Sequence, residues 1–157
     1  MSKKIKIMAL KTLAELKTGR DFNDVLESYS NISDRVGTQG AQATTADSTA
    51  VITAANIATG IVQCTPTADR EKDTDTAVNL ISGLKLTRDN DSFDFSIINL
   101  ATDGTSFLTV DEGTDVTLVG NMVVSAQDAA EDAFTSGVGM FRIRRTAATT
   151  VTLYRLA

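Results

Sequence analysis

Two stretches at the end of the sequence decide the fold, MFRIRRT at residues 140–146 and VTLYRL at residues 151–156. The first alternates strictly, and the two sets of alternating residues are Phe141, Ile143 and Arg145, and Arg142, Arg144 and Thr146. Alternation with a period of two is typical of a β-strand that buries one face. The second stretch continues the same pattern after a short turn at residues 147–150. The pair therefore predicts a terminal β-hairpin with an arginine-bearing face.

Further strands are predicted upstream of this hairpin. Residues 92–100, SFDFSIINL, place Phe93, Phe95 and Ile97 on one face, which we expect to be core. Shorter strands are predicted at residues 58–64, 105–110, 115–119 and 122–126, with turns supplied by glycines and by the Gly-Asn pair at 120–121. The fold class is mainly β: an antiparallel β-sandwich or barrel of roughly eight short strands.

One short helix is predicted inside the β module. Residues 75–84 carry apolar side chains at helical spacing behind a cap at Thr74 or Asp75. Residues 127–134 are open to two interpretations, a single exposed helical turn or a loop. The module thus combines short strands with one inserted helix.

The first part of the sequence has a different pattern. Residues 7–17 and 21–29 each have one apolar face at helical spacing, which predicts two short amphipathic helices that need a surface to pack on. Residues 30–50 are rich in Ser, Thr, Gly, Gln and Ala, which is typical of an extended arm or linker. We therefore divide the chain into a basic helical arm and linker, residues 1–50, and a β domain, residues 51–157.

Charge is distributed unevenly along the chain. Residues 1–20 hold six basic residues and one acidic residue, a balance of +5, whereas residues 21–157 hold nine basic and nineteen acidic residues, a balance of −10. A basic leader can contact nucleic acid or an acidic protein surface. Because the acidic body would repel phosphate, and because no aromatic residues for base stacking are interleaved with the C-terminal arginines, we expect a protein partner and no nucleic acid.

The residue type most often used as a general base is missing, which makes an enzyme improbable without excluding it. The chain has no histidine, which removes the commonest general base and most zinc sites. An EF-hand loop counted from Asp69 would place Thr74 and Leu80 where Gly and Glu are required, so a solvated acidic loop is the favoured interpretation. No glycine motif for binding phosphate is present. We predict no catalytic, cofactor-binding or metal-binding residue.

The cysteine content and the apolar segments of the sequence indicate the cellular compartment. The single cysteine, Cys64, has apolar neighbours and is predicted to be a small buried side chain. No apolar run approaches the length of a membrane span, and no secretory signal follows Met1. We therefore expect assembly in the cytoplasm and no membrane partner.

From residue 57 to 157 the chain resembles a family of tailed-phage virion proteins, especially of marine phages, that serve as capsid cement or decoration proteins. The resemblance rests on ATGIVQCTPTADR at 58–70, NDSFDFSIINLATDGTSFLTV at 90–110, GTDVTLVGNMVV at 113–124 and SGVGMFRIRRTAATTVTLYRLA at 136–157. This chain has Asn90 where such relatives tend to have a glycine. The resemblance implies a protein of the capsid surface that assembles typically as a homotrimer, binds the major capsid protein and bridges neighbouring capsomers. It implies no catalytic residue.

The leading hypothesis is a cement protein whose arm grips the capsid. An alternative is a head-fibre or tail adhesin module that binds a host surface receptor, and a third is a small calcium-dependent or hydrolytic enzyme that uses the acidic loops. The residues predicted to bind a partner are Lys3, Lys4, Lys6, Leu10, Leu13, Lys17, Phe22, Arg142 and Arg144.

Overall fold

A computed structural model describes residues 41–127 and 137–157 of the chain. Within these ranges, strands β1 to β9 span Ala43–Thr44, Ile61–Cys64, Arg70–Asp73, Ser92–Asn99, Leu108–Asp111, Val116–Val119, Val123–Val124, Val138–Ala147 and Thr150–Arg155. Helices α1 and α2 span Ala54–Ala58 and Ala77–Gly83. Strands hold 44% of these residues and helices 11%, which confirms the prediction of a mainly β chain. The helices predicted at residues 7–17 and 21–29, and all but the first residue of the turn or loop predicted at 127–134, lie outside the described residues.

The strands form two sheets. The larger sheet has six strands in the order β1-β2-β4-β8-β9-β6, and the smaller has three in the order β3-β5-β7. Both sheets are mixed, because β2 runs parallel to β1 and β4, β6 runs parallel to β9, and β3 runs parallel to β5. The prediction of an antiparallel fold was therefore wrong in strand direction. Parallel neighbours need long crossover connections, and a pattern of short strands and tight turns does not show which distant strands will meet.

The terminal hairpin is confirmed, and it lies against β4. Strand β8 pairs antiparallel with both β4 and β9, with Ile143 opposite Phe93 on one side and opposite Leu153 on the other. The rings of Phe95 and Phe141 stack on the core face, with centroids 5.6 Å apart. The turn before β4 contains Asn90 at a φ of 76°, a left-handed conformation that asparagine tolerates better than most residues do. Asn90 thus fills a position for which glycine would also be suited.

The helices agree with the prediction in one case only. Helix α2 lies inside the range predicted for it, although its N-cap is Thr76. Helix α1, capped by Thr53 and Asn56, occupies residues just before and at the start of the strand predicted from residue 58. It was missed because five residues are too few to display helical periodicity. The strand that follows begins at Ile61.

The carboxylate of Asp75 joins the starts of both helices. It accepts hydrogen bonds from the backbone N–H of Ala54 at 3.1 Å and of Thr76 at 2.9 Å, and from the Asn79 side chain at 2.7 Å. Desolvation raises the pKa of Asp75, but these hydrogen bonds outweigh it and the pKa is lowered from its usual value. The charged form is therefore the one that holds the helix ends together.

Both sheets and both helices contribute to one apolar core. The cluster includes Ile57 from α1, Leu80 from α2, Leu108 from β5 and Phe141 from β8, each fully buried. Cys64 belongs to the same cluster with 1% exposure, which confirms the prediction of a buried side chain.

A buried amide connects the two sheets within this core. The Asn99 side chain at the end of β4 donates to the carbonyl oxygens of Ser106 at 2.8 Å and of Val124 in β7 at 3.0 Å. Its own oxygen accepts from the N–H of Ala101 at 3.0 Å. Asn99 is completely buried, and these bonds satisfy its polar atoms.

Candidate functional site

The predicted partner-binding residues fall into two groups. Those in the arm, Lys3 to Phe22, lie outside the described residues. Arg142 and Arg144 lie two positions apart on β8, and both are exposed on the face of the six-stranded sheet that points away from the core. We call this surface the outer face. Its composition follows from the register of the strands.

The arginines of the outer face have partners within the chain. Arg142 lies opposite Asp94 of β4 and binds its carboxylate through two hydrogen bonds of 2.7 Å. The hydrogen bonds from Arg142 lower the pKa of Asp94, and in return Asp94 raises the pKa of Arg142. The guanidinium of Arg144 donates to the side-chain oxygen of Asn90. The outer face therefore presents one compensated ion pair and one further cation.

Arg155 does not share this surface. Its guanidinium carbon lies 4.9 Å from the centroid of the Phe141 ring, on the core side of the sheet, and it donates to the carbonyl oxygens of Val123 and Val138. Burial lowers the pKa of Arg155. The three arginines of the terminal hairpin strands therefore do not form one surface, because Arg155 lies on the face opposite to Arg142 and Arg144.

The other half of the outer face is apolar. Strand register places Met140 opposite Ser96 and Ile61 on the far side of Ser96, in one row across the sheet. Leu156 extends this row, since its backbone N–H donates to the Met140 carbonyl oxygen at 2.8 Å. Met140 and Leu156 are 48% and 46% exposed, which is high for large apolar side chains. The outer face thus combines a charged half with an apolar half.

A second group of residues attaches the chain that follows the predicted arm. Strand β1 pairs in parallel with β2, and the N–H of Thr45 donates to the Gln63 carbonyl oxygen at 2.9 Å. These residues lie in the stretch predicted as arm and linker. We call residues 43–48 the anchored segment, because contacts with both sheets hold it along its length.

Asp47 supplies the side-chain part of this attachment. Its carboxylate accepts from the Thr67 hydroxyl at 2.6 Å, from the Thr67 N–H at 3.3 Å and from Arg70 Nε at 2.8 Å. The hydroxyl of Thr67 and then Arg70 lower the pKa of Asp47. Because Arg70 begins β3, this ion pair ties the anchored segment to the smaller sheet.

Lys72 makes the second tie to the smaller sheet. It is 1% exposed, and its ammonium donates to the carbonyl oxygens of Ala46 at 2.6 Å and Ser48 at 2.5 Å. Lysine is almost never fully buried without a partner, since removing an ammonium from water is costly. Among the described residues, the ammonium of Lys72 has only these two uncharged carbonyl oxygens of the anchored segment as hydrogen-bond acceptors.

Sequence reasoning missed this role of Lys72. The surrounding acids were interpreted as a solvated loop, whereas Arg70–Asp73 form strand β3. Alternation of Arg70 and Lys72 with Glu71 and Asp73 is a weak strand signal, but all four residues are charged, so the pattern does not tell which face is buried. Only the position of the anchored segment distinguishes Lys72 from its neighbours.

Two other kinds of feature, a metal site and a membrane-spanning helix, are not found among the described residues. In residues 41–127 and 137–157 no group of three or more His, Cys, Asp or Glu side chains could hold a metal ion. Over the same ranges no helix has the length and apolar character needed to cross a membrane.

The sequence and the structure were compared with known proteins. No protein-family model, curated protein or solved structure matches the chain. Any statement about function therefore depends on the residues and geometry described above.

Proposed function

We propose that this chain is a virion structural protein, a cement or decoration protein of a phage capsid that binds the major capsid protein through its N-terminal arm. The observation that carries the proposal is the anchored segment. It lies in the last part of the predicted arm and linker, and it is tied to the larger sheet by β1 and to the smaller sheet by Asp47 and Lys72. The arm would thus continue into a segment that contacts both sheets rather than into a free linker.

The charge of the arm supports a protein partner. Residues 1–20 carry a balance of +5 beside an acidic remainder of −10, so the arm would be drawn to an acidic surface while the β domain stays turned toward solvent. In the proposed arrangement the arm is helical and the two sheets form a β-sandwich. An arm that reaches a neighbouring capsomer would bridge the two, and many weak attachments on one shell act together.

The outer face is the proposed contact between copies in a homotrimer. Arg144 offers a cation, and Met140 and Leu156 offer exposed apolar area beside it. Burying apolar surface contributes about 25 cal/mol per Å² before ordering costs, so an interface of ordinary size is enough for stable assembly. Arg142 would take a smaller part, since Asp94 already binds it.

The arm's role is tested by co-sedimentation with capsid shells that lack this protein. Deletion of residues 1–30 is expected to abolish attachment while the β domain keeps its circular dichroism spectrum and melting temperature. A single reversal of charge, Lys4→Glu, is expected to weaken attachment, whereas Arg88→Glu at an exposed position of the β domain serves as the matched control. Attachment of the truncated chain at full strength would overturn the proposal, and binding to host cells instead of shells would favour the adhesin function.

A further inference from the structure

We infer that the anchored segment is a latch, which opens as a unit while the two sheets stay folded. The inference concerns the isolated chain and does not depend on attachment to a capsid. It is based on how the segment is held, on what it covers and on where its attachment ends.

The anchored segment is held by polar contacts and not by the apolar core. None of residues 41–50 is buried, and none belongs to the core cluster. Its ties are the short strand β1, the ion pair of Asp47 with Arg70 and the hydrogen bonds from Lys72. Segments with few buried apolar contacts open at a lower free energy than the core around which the rest of the chain folds.

Two side chains lie beneath the segment. The ammonium of Lys72 is out of water and faces two uncharged oxygens, so the hydration that it regains on opening offsets the loss of these two hydrogen bonds. The thiol of Cys64 lies 3.5 Å from the carbonyl oxygen of Ala46 and is 1% exposed. Lifting the segment would uncover both side chains.

The part of the chain that stays fixed when the latch opens begins at Ile52. This residue is 1% exposed, its N–H donates to the Asp73 carbonyl oxygen at 2.8 Å, and its own carbonyl oxygen accepts from the N–H of Asp75 at 3.2 Å. Between Ser48 and Ile52 the chain is mainly exposed, with Val51 at 47%. The hinge of the latch is therefore residues 49–51, and the core from Ile52 onward is not disturbed when it opens.

The sole cysteine of the chain gives a direct readout. In the full-length protein, the reaction of Cys64 with a small aromatic disulfide reagent is expected to be faster than global unfolding in the same buffer. Its rate should depend little on low concentrations of denaturant, because opening the segment exposes little surface. Reaction at the rate of global unfolding, with the same dependence on denaturant, would overturn the inference.

Two carboxylates provide a matched pair of variants. Asp47→Ala removes a side chain paired to an arginine at 2.8 Å on the anchored segment, and Asp94→Ala removes one paired at 2.7 Å on the outer face. We expect Asp47→Ala to speed labelling of Cys64 several-fold and Asp94→Ala to leave the rate unchanged, because only Asp47 holds the anchored segment. Equal rates in the two variants would contradict the latch.

Hydrogen exchange provides a second, independent measurement of the opening. Hydrogen exchange read by mass spectrometry should show loss of protection at the N–H of Thr45 before the N–H groups of β4 and β8 exchange. Thr45→Pro, which removes the hydrogen bond to Gln63, should extend that loss to the edge of β2 without changing β8. Exchange of the anchored segment together with β4 and β8 would refute independent opening.

Discussion

Replacing Asn99 by leucine should strongly destabilise the protein, although the two side chains have the same number of heavy atoms and both branch at Cγ. The substitution removes hydrogen bonds to the carbonyl oxygens of Ser106 and Val124 and one from the N–H of Ala101. All three partner residues are buried, with 3%, 0% and 4% exposure. An unpaired buried polar group costs about 1–3 kcal/mol, so three of them together should cost about 3–9 kcal/mol. That is a large share of the ~5–15 kcal/mol by which a native domain is stable.

The assay is equilibrium unfolding in urea followed by far-ultraviolet circular dichroism, because the chain has no tryptophan. The midpoint should fall while the slope stays the same, which identifies the change as one of stability. Asn121→Ala is the matched control, because the side chain of Asn121 is exposed and accepts one backbone hydrogen bond at 3.0 Å that water can replace. This substitution should change the free energy of unfolding by no more than about 0.5 kcal/mol. A loss in Asn99→Leu as small as in this control would refute the claim that the amide holds the two sheets together.

Three further outcomes follow from the geometry. A Cβ on Gly113 would lie 2.3 and 2.5 Å from two backbone carbonyl oxygens, so Gly113→Ala should lower the free energy of unfolding by about 1–3 kcal/mol. Thermal unfolding measures this, with Ser82→Ala as the control, and equal melting temperatures of the two variants would contradict the prediction. Hydrogen bonds from Ser106 lower the pKa of Asp103 from 3.8 to about 2, so its carboxylate adds stability above the pKa of the unfolded chain, and this stability is lost as the pH falls from about 4 to 2. The difference in free energy of unfolding between the native protein and Asp103→Asn should therefore shrink over that range. A difference that does not change with pH would exclude the effect. A double-mutant cycle on Asp94 and Arg142 should give a small coupling free energy that weakens with salt, because both side chains are exposed. A large coupling that is independent of salt would show that the outer face is less solvated than this exposure indicates.

Several elements could be predicted from the sequence because their signal is local. The alternation around Phe141 and Ile143, and that of Phe93, Phe95 and Ile97, results from the two-residue period of a strand, so the buried face can be assigned without knowing the partner. The spacing of apolar residues likewise predicted α2. The buried state of Cys64 follows from its apolar neighbours.

Other elements could not be predicted, since they depend on contacts between distant parts of the chain. The parallel pairing of β2 with β4 joins residues separated by β3 and α2, and no periodicity encodes it. Helix α1 is too short for a periodic signal. The sequence therefore predicted where most strands of the larger sheet lie in the chain, but not which neighbouring strands run parallel.

The candidate site divides in the same way. The sequence identified Arg142 and Arg144 as exposed, because they alternate with core residues on β8, but it did not show that Asp94 and Asn90 are their partners. The role of the arm residues from Lys3 to Phe22 remains a prediction.

By itself the sequence indicated seven of the nine described strands, all except β1 and β3, the apolar faces of β4, β8 and β9, and the division of charge between a basic leader and an acidic remainder. Only the tertiary structure decided that Lys72 and Asn99 are buried. Both are polar residues in stretches that could equally face water, and each becomes buried only where backbone carbonyl groups from remote segments converge to bind it. Burial of a polar group depends on such convergence, which is a property of the folded chain and not of any local run of residues.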